Sequence, residues 1–208
     1  MSYDRRPLKS RSLGAVQSLA KALAERNIYP NTISLASMGF AAVGFAALWG
    51  VARGWEFHHF FLILAVVCIQ GRLLCNLVDG LVAVEWDMKQ KGGDLFNELP
   101  DRVSDALFLV GAGYVAGNPE LGWLCSALAI STAYVRAFGS SLGQPQDFGG
   151  PCAKQQRMFL LTVGLILTMV FPMAGLSMNI LNTVLWVIAA GTAITAWLRI
   201  RRLYERLP

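Results

Sequence analysis

Charged residues are scarce in this chain: Asp, Glu, Lys and Arg make up 15% of its 208 residues, whereas 55% are hydrophobic. A soluble domain of this length has a more polar composition, so the balance indicates a polytopic membrane protein. Histidine occurs only as the adjacent pair His58 and His59. Adjacent side chains diverge on a helix, which favours an interfacial loop over a metal site for this pair.

Cysteine is also sparse, and its four positions show no paired metal-ligand spacing (68, 75, 125 and 152). Three of them lie in apolar runs, which favours buried small side chains over a disulfide framework. No Ser/Pro-rich or highly charged stretch has the composition of a linker, and the start of the chain is too polar for a secretory signal peptide. We therefore expect one membrane domain over 28–208, preceded by a cytoplasmic segment over 1–27.

The net charge of +5 raises the question of nucleic-acid binding, but the distribution of the basic residues argues against it. They cluster at 5–11, 89–91, 154–157 and 199–206, and each cluster flanks a hydrophobic segment. Basic residues concentrate on the cytoplasmic side of membrane proteins. The clusters therefore indicate orientation in a membrane.

Six hydrophobic segments are each near the ~20 residues that a helix needs to cross the hydrocarbon; they cover 32–52, 58–82, 99–117, 120–141, 156–176 and 178–200. With the N-terminus inside, every basic cluster falls on one side and only Arg53 lies opposite. The fold prediction is therefore all-α, with six transmembrane helices in the cell (inner) membrane and both termini cytoplasmic.

An amphipathic helix is predicted before the first of these segments, over 12–26. Its apolar residues fall on one stripe and its polar residues on the opposite side; the stripe consists of Leu13, Val16, Leu19, Ala20 and Leu23. This pattern is typical of a helix that lies along the inner membrane surface.

Polar side chains interrupt two apolar segments at the predicted cytoplasmic side. Asn76 and Asp79 share one helical face, and Asn97, Asp101 and Asp105 recur every four residues on another. Carboxylate and amide oxygens suit hard divalent cations, and Mg²⁺ also takes phosphate oxygens from substrates. We interpret the two stripes as a site. The alternative is that the Asp residues only cap or solvate helix ends.

The spacing of these residues resembles the signature of the CDP-alcohol phosphatidyltransferase family, D-x-x-D-G-x-x-A-R-x8-G-x3-D-x3-D. The chain keeps every interval; the matching positions are Asn76, Asp79, Gly80, Ala83, Val84, Gly93, Asn97 and Asp101. IYPNTIS (28–34) looks like the entry into the family's first membrane helix. LPDRVSDA, YVRAFGSSLG and GGPCAKQQRM resemble the phosphatidylinositol-phosphate synthase branch, so the resemblance covers about 28–160.

The resemblance implies a membrane-embedded enzyme, usually a homodimer, that uses Mg²⁺ or Mn²⁺. Such enzymes move a phosphatidyl group from CDP-diacylglycerol to an alcohol and release CMP. By position, the implied metal ligands are Asn76, Asp79, Asn97 and Asp101, with Asp105 added from the residue pattern. Asp101 falls on the position of the catalytic base. Cytidine would approach the backbone at Gly80 and Ala83, and Gly93 joins Asp79 in the CDP-binding set.

The chain departs from the signature at three positions. Asn replaces Asp at two of them, and Val84 replaces the expected Arg. The site loses two negative charges and should hold a divalent metal less tightly, unless neighbouring carboxylates compensate (Asp94, Glu98 or Asp105). Arg72 lies on the face of Asp79; it would either pair with Asp79 or bind a diphosphate in place of the missing Arg. Pro100 would begin or kink the helix that carries Asp101.

Three basic residues are candidates for binding an acceptor phosphate: Arg136, Lys154 and Arg157. Anchoring at the inner membrane surface is the alternative, and it explains Lys154 more easily than Arg136.

Three functions remain open for the chain: an active transferase, a catalytically impaired family member that binds CDP-lipid, and a transporter. Clustering of the polar groups at one face, away from the midplane, and the lack of a broken-helix repeat argue against transport.

Overall fold

The computed structural model describes residues 14–88, 90–171 and 174–207, without the side chains of 94 and 174–178. Within these ranges the chain forms seven helices and no strand: α1 (Gly14–Glu25), α2 (Pro30–Ala52), α3 (His58–Glu85), α4 (Gly93–Val115), α5 (Pro119–Ser141), α6 (Lys154–Val170) and α7 (Ala174–Arg206). The all-α prediction is confirmed. The basic cluster at 5–11, together with Leu13 and Lys89, lies outside the described residues.

Short-range signals fix several helix ends. α2 and α5 each have proline in their first turn, where the missing N–H costs no hydrogen bond. The side chain of Asn118 accepts a hydrogen bond from the backbone N of Leu121 at 3.1 Å and so caps α5. Beyond the other end of α5, Gly143 adopts a φ of 77°, the left-handed conformation in which helices commonly stop.

Helices α2 to α7 cover the six predicted hydrophobic segments, with shifts at their ends. The largest shift at a helix start is in α4, which begins at Gly93 instead of residue 99 and carries Pro100 inside it. Among the described residues, four helical stretches are long and apolar enough to cross a membrane, namely α2, α3, α5 and Asn179–Arg206 within α7. These support a multi-pass membrane protein. The six-span count stays a prediction, because α6 has only 17 residues and α4 carries several charges.

The six long helices pack side by side in a closed ring, in the order α3, α2, α4, α5, α7, α6 and back to α3. α4 also reaches across to α7 and lies deepest, with Phe108, Leu109 and Ala112 fully buried. Its close contact with α5 depends on two glycines: a Cβ added to Gly113 would lie 2.8 Å from the Cα of Gly122. Any larger residue at this crossing would force the two backbones apart.

α1 packs against α3, as an amphipathic helix beside the membrane domain would. Ala20 and Ala24 are buried there with Val78, Leu81 and Val82. Leu19 of the predicted stripe is 38% exposed, so the protein itself covers only part of the stripe. The predicted helix over 12–26 is thus present as Gly14–Glu25, and its position at a membrane surface stays a prediction.

Candidate functional site

Three helices bring the predicted polar residues together at one end of the ring. The second half of α3, the first half of α4 and the first turn of α6 meet there. They contribute charged or amide side chains that contact one another across the helices: Arg72, Asn76, Asp101, Arg102, Asp105, Lys154 and Arg157. The arrangement follows from the sequence, since α3 runs toward this end while α4 and α6 start from it.

Asp101 is the centre of this cluster and is only 6% exposed. Its Oδ1 accepts a hydrogen bond from Arg72 Nη2 at 3.0 Å and another from the amide nitrogen of Asn76. Its Oδ2 contacts the Lys154 ammonium, and Arg102 Nη2 lies 3.5 Å away. The first and last positions of the signature, Asn76 and Asp101, are therefore in direct contact.

Asp105 lies one turn further along α4 and is paired differently. Its Oδ1 is 2.7 Å from Arg72 Nη2 and its Oδ2 is 3.3 Å from Arg157 Nη2. Arg157 also donates to the carbonyl oxygen of Cys152 at 3.0 Å and is 1% exposed. Both oxygens of Asp105 are thus held by buried guanidinium groups. The predicted pairing of Arg72 with Asp79 is wrong, because the Arg72 side chain extends across to α4 instead of along α3.

Asp79 has a separate environment in which a residue of α2 takes part. Ser34 Oγ donates to Asp79 Oδ2 at 2.6 Å, and Asp79 Oδ1 is buried without a hydrogen-bond partner. Ser34 lies in the IYPNTIS stretch, but no role was predicted for it. A serine among the apolar residues of the first membrane helix was the available signal.

The remaining predicted donor-site residues differ in how far they are buried. Asn97 is exposed on α4, Gly80, Ala83 and Gly93 are half-buried, and the side chain of Asp94 lies outside the described part. In the described ranges, no three His, Cys, Asp or Glu side chains form a group that could hold a metal by themselves. Oxygens from amides or from a substrate would have to complete any such site.

The three predicted acceptor-site residues have different partners in the structure. Lys154 faces Asp101 and Arg157 faces Asp105, while Arg136 pairs with Glu98 and stacks on Phe148 with 5.0 Å to the ring centroid. Arg136 also lines a small pocket between α5, the 142–153 loop and α7, together with Asp147, Arg199 and Arg206. Residues 199–206 were predicted only as a basic cluster that flanks a membrane segment, so their approach to Arg136 was not anticipated.

No family model matches the chain. An uncharacterized protein of Aquifex aeolicus is 28% identical to this chain, over 99% of this chain and 95% of that protein. The phosphatidylinositol phosphate synthase of Mycolicibacterium smegmatis is 22% identical, over 88% of this chain and 80% of the synthase. The inner membrane protein YnbA of Escherichia coli is 22% identical, over 80% of this chain and 84% of YnbA. Their likeness extends over most of each chain.

Solved structures show the same fold. The crystal structure of Mycobacterium tuberculosis phosphatidylinositol phosphate synthase (PgsA1) with CDP-DAG bound matches with a TM-score of 0.73 and 19% identity, over 91% of this chain and 93% of that one. The predicted resemblance to the CDP-alcohol phosphatidyltransferases is confirmed. A second structure of that synthase, in complex with manganese and citrate, also has a TM-score of 0.73 with 19% identity, over 91% of this chain and 88% of that one. At this level of identity, the likeness shows the phosphatidyltransferase fold.

Proposed function

We propose that this chain is an integral-membrane transferase that moves a phosphatidyl group from CDP-diacylglycerol to a small polar alcohol, such as a polyol phosphate, and releases CMP. The observation that carries the proposal is the contact between Asn76 and Asp101. These residues occupy the two ends of the signature, and the helices that carry them have the fold of a synthase solved with CDP-DAG bound. We further propose a homodimer in the cell membrane with both termini cytoplasmic.

The residues at this end of the ring fit a divalent cation that is bound together with substrate. Asp79 Oδ1 is buried without a partner, as an oxygen awaiting a cation would be. Asn76 uses its amide nitrogen on Asp101, which leaves its carbonyl oxygen available. Mg²⁺ typically takes only one or two protein carboxylates and completes its shell with water and substrate phosphates. Asp79, Asn76 and Asp101 would hold Mg²⁺ or Mn²⁺, which when bound would neutralise charge on the diphosphate and on the departing CMP.

The proposed reaction is an in-line displacement. The acceptor oxygen bonds to the β-phosphorus of CDP-diacylglycerol, the bond from that phosphorus to the bridging oxygen breaks, and CMP leaves with the electron pair. Asp101 accepts the proton of the acceptor hydroxyl. Its Oδ2 is held by Lys154, whose side chain is 23% exposed and flexible. An acceptor phosphate offers that ammonium another partner, so acceptor binding releases Oδ2 to act as the base.

Acceptor recognition is proposed to use the basic residues that retain access to solvent. Lys154 is partly exposed, and Arg136 lines the small pocket beside α7 with Arg199. Planar guanidinium groups bind phosphate bidentately, which suits a polyol phosphate. Arg157 is assigned instead to holding Asp105 and the carbonyl of Cys152, because it is buried against both.

A second candidate function is a catalytically impaired family member that binds CDP-lipid. It is favoured by the occupation of both Asp101 oxygens and by the amides at positions 76 and 97.

Incubation of the purified protein with radiolabelled CDP-diacylglycerol and a panel of polyols and polyol phosphates separates the two functions. An active transferase gives labelled phospholipid with one acceptor class, whereas an impaired member gives none with any acceptor while still binding the donor.

A further inference from the structure

Arg72 has contacts that neither substrate binding nor helix packing accounts for. Its side chain is 0% exposed. A single nitrogen, Nη2, lies 3.0 Å from Asp101 Oδ1, 3.1 Å from the backbone oxygen of Asp101 and 2.7 Å from Asp105 Oδ1. The guanidinium therefore holds the main chain and the side chain of Asp101 at the same time.

Burial argues against the CDP-binding role expected for Arg72 from the sequence. Its side chain is 0% exposed, so in this structure it presents no surface to the diphosphate of a lipid donor. Joining two helices through a buried arginine is energetically unfavourable here, because Nε and Nη1 of Arg72 are also buried and have no hydrogen-bond partner. Apolar side chains of similar volume join helices without that cost of desolvation.

The other partners of Asp101 are less constraining. Lys154 is partly exposed and has a flexible stem, and Arg102 is 3.5 Å from Oδ2 and also 3.4 Å from Glu98. Asn76 is half-buried and contacts Asp101 at Oδ1, without a contact to its backbone. α3 and α4 each pack mainly against α2 and have little direct contact with each other. Arg72 is therefore a principal direct link between α3 and α4 near Asp101.

We propose that Arg72 is a positioning residue for the transfer reaction: it fixes the backbone and carboxylate of Asp101 relative to Asn76 and Asp79, and it does not touch substrate. This inference rests on the proposed function. Since Arg72 and Asn76 lie one turn apart on α3, the two side chains orient Asp101 from the helix that also carries Asp79. Removing Arg72 should misplace the base while leaving the donor-binding surface in place.

The test measures kcat and the donor KM separately, per folded protein, for Arg72→Lys, Arg72→Met and the control Arg201→Gln, which removes an exposed ion pair with Glu205. Arg72→Met should lower kcat about a hundredfold, because misplacement of a reacting group by about 1 Å has that effect. Arg72→Lys keeps the charge without the planar fork and should recover part of the loss. The donor KM should change less than about threefold in both variants, since the lost contact is not with the donor. Arg201→Gln should stay close to wild type.

Two results would overturn the inference. A wild-type kcat in folded Arg72→Met, with only a lower unfolding temperature, would show a purely structural role. A raised donor KM with unchanged kcat would show that Arg72 binds substrate. If Arg72→Met does not fold, Arg72→Lys decides by the same criteria, because it leaves neither Asp101 nor Asp105 facing an uncharged side chain. A wild-type protein that releases no CMP with any acceptor would instead reject the proposed function, and this inference with it.

Discussion

Replacing Arg157 by alanine should destabilise the protein more than it weakens acceptor binding. The change removes the 3.3 Å contact with Asp105 and the 3.0 Å hydrogen bond to the Cys152 carbonyl, both inside the protein. Breaking a buried ion pair costs about 3 to 5 kcal/mol because it leaves a buried charge behind. Asp105 keeps Arg72 as a partner, so we expect a loss near the lower end, about 3 kcal/mol.

Arg136→Ala is the matched control for this prediction. Its partner Glu98 has a side chain that is 44% exposed, and ion pairs open to solvent contribute at most about 1 kcal/mol. Thermal unfolding in detergent should therefore separate the two variants. At roughly 2–4 °C per kcal/mol for a chain of this size, Arg157→Ala should unfold about 6 to 12 °C below wild type. An unchanged unfolding temperature, combined with a raised acceptor KM, would refute the reasoning and make Arg157 a substrate ligand.

Three further predictions concern the metal, the helix packing and the topology. Asn76→Asp combined with Asn97→Asp should tighten Mn²⁺ binding in a titration, because two carboxylates are restored; unchanged affinity would mean that these positions do not face the ion. Gly122→Ala should cost about 1–3 kcal/mol, since the new Cβ would lie 2.9 Å from the Leu109 carbonyl oxygen, whereas Gly39→Ala meets nothing within 4 Å; equal unfolding temperatures would contradict this. Reporter fusions at the two termini should both report the cytoplasm, and opposite locations would exclude an even number of spans.

Much of the fold could be predicted because hydrophobic length and helix-end signals are local. The runs that became α2, α3 and α5 each contain a long, predominantly apolar stretch, and proline or glycine turns lie near their ends. The start of α4 at Gly93 was harder to predict, since charged residues precede its apolar part and Pro100 resembles a helix start.

The candidate site was predictable in its residues but not in its pairing. Helical spacing placed Asn76 and Asp101 on facing stripes, and the two are in contact. Spacing along one helix says nothing about which neighbouring helix a long side chain reaches. Pairing with Asp79 and binding of a diphosphate were therefore the two alternatives for Arg72, and neither anticipated its contacts with Asp101 and Asp105. The role of Ser34 depends on the packing of α2 against α3, which no local pattern encodes.

The measurement that tests the central claim most directly is CMP release from CDP-diacylglycerol by the purified wild-type protein and by Asp101→Asn, with a divalent ion and the best acceptor from the panel. The proposed function predicts CMP in equal amounts to the new phospholipid for wild type. It predicts a loss of about 10²-fold or more in Asp101→Asn, because a general base contributes at least that factor. No CMP from a folded wild-type protein that binds the donor, or equal turnover by Asp101→Asn, would contradict it.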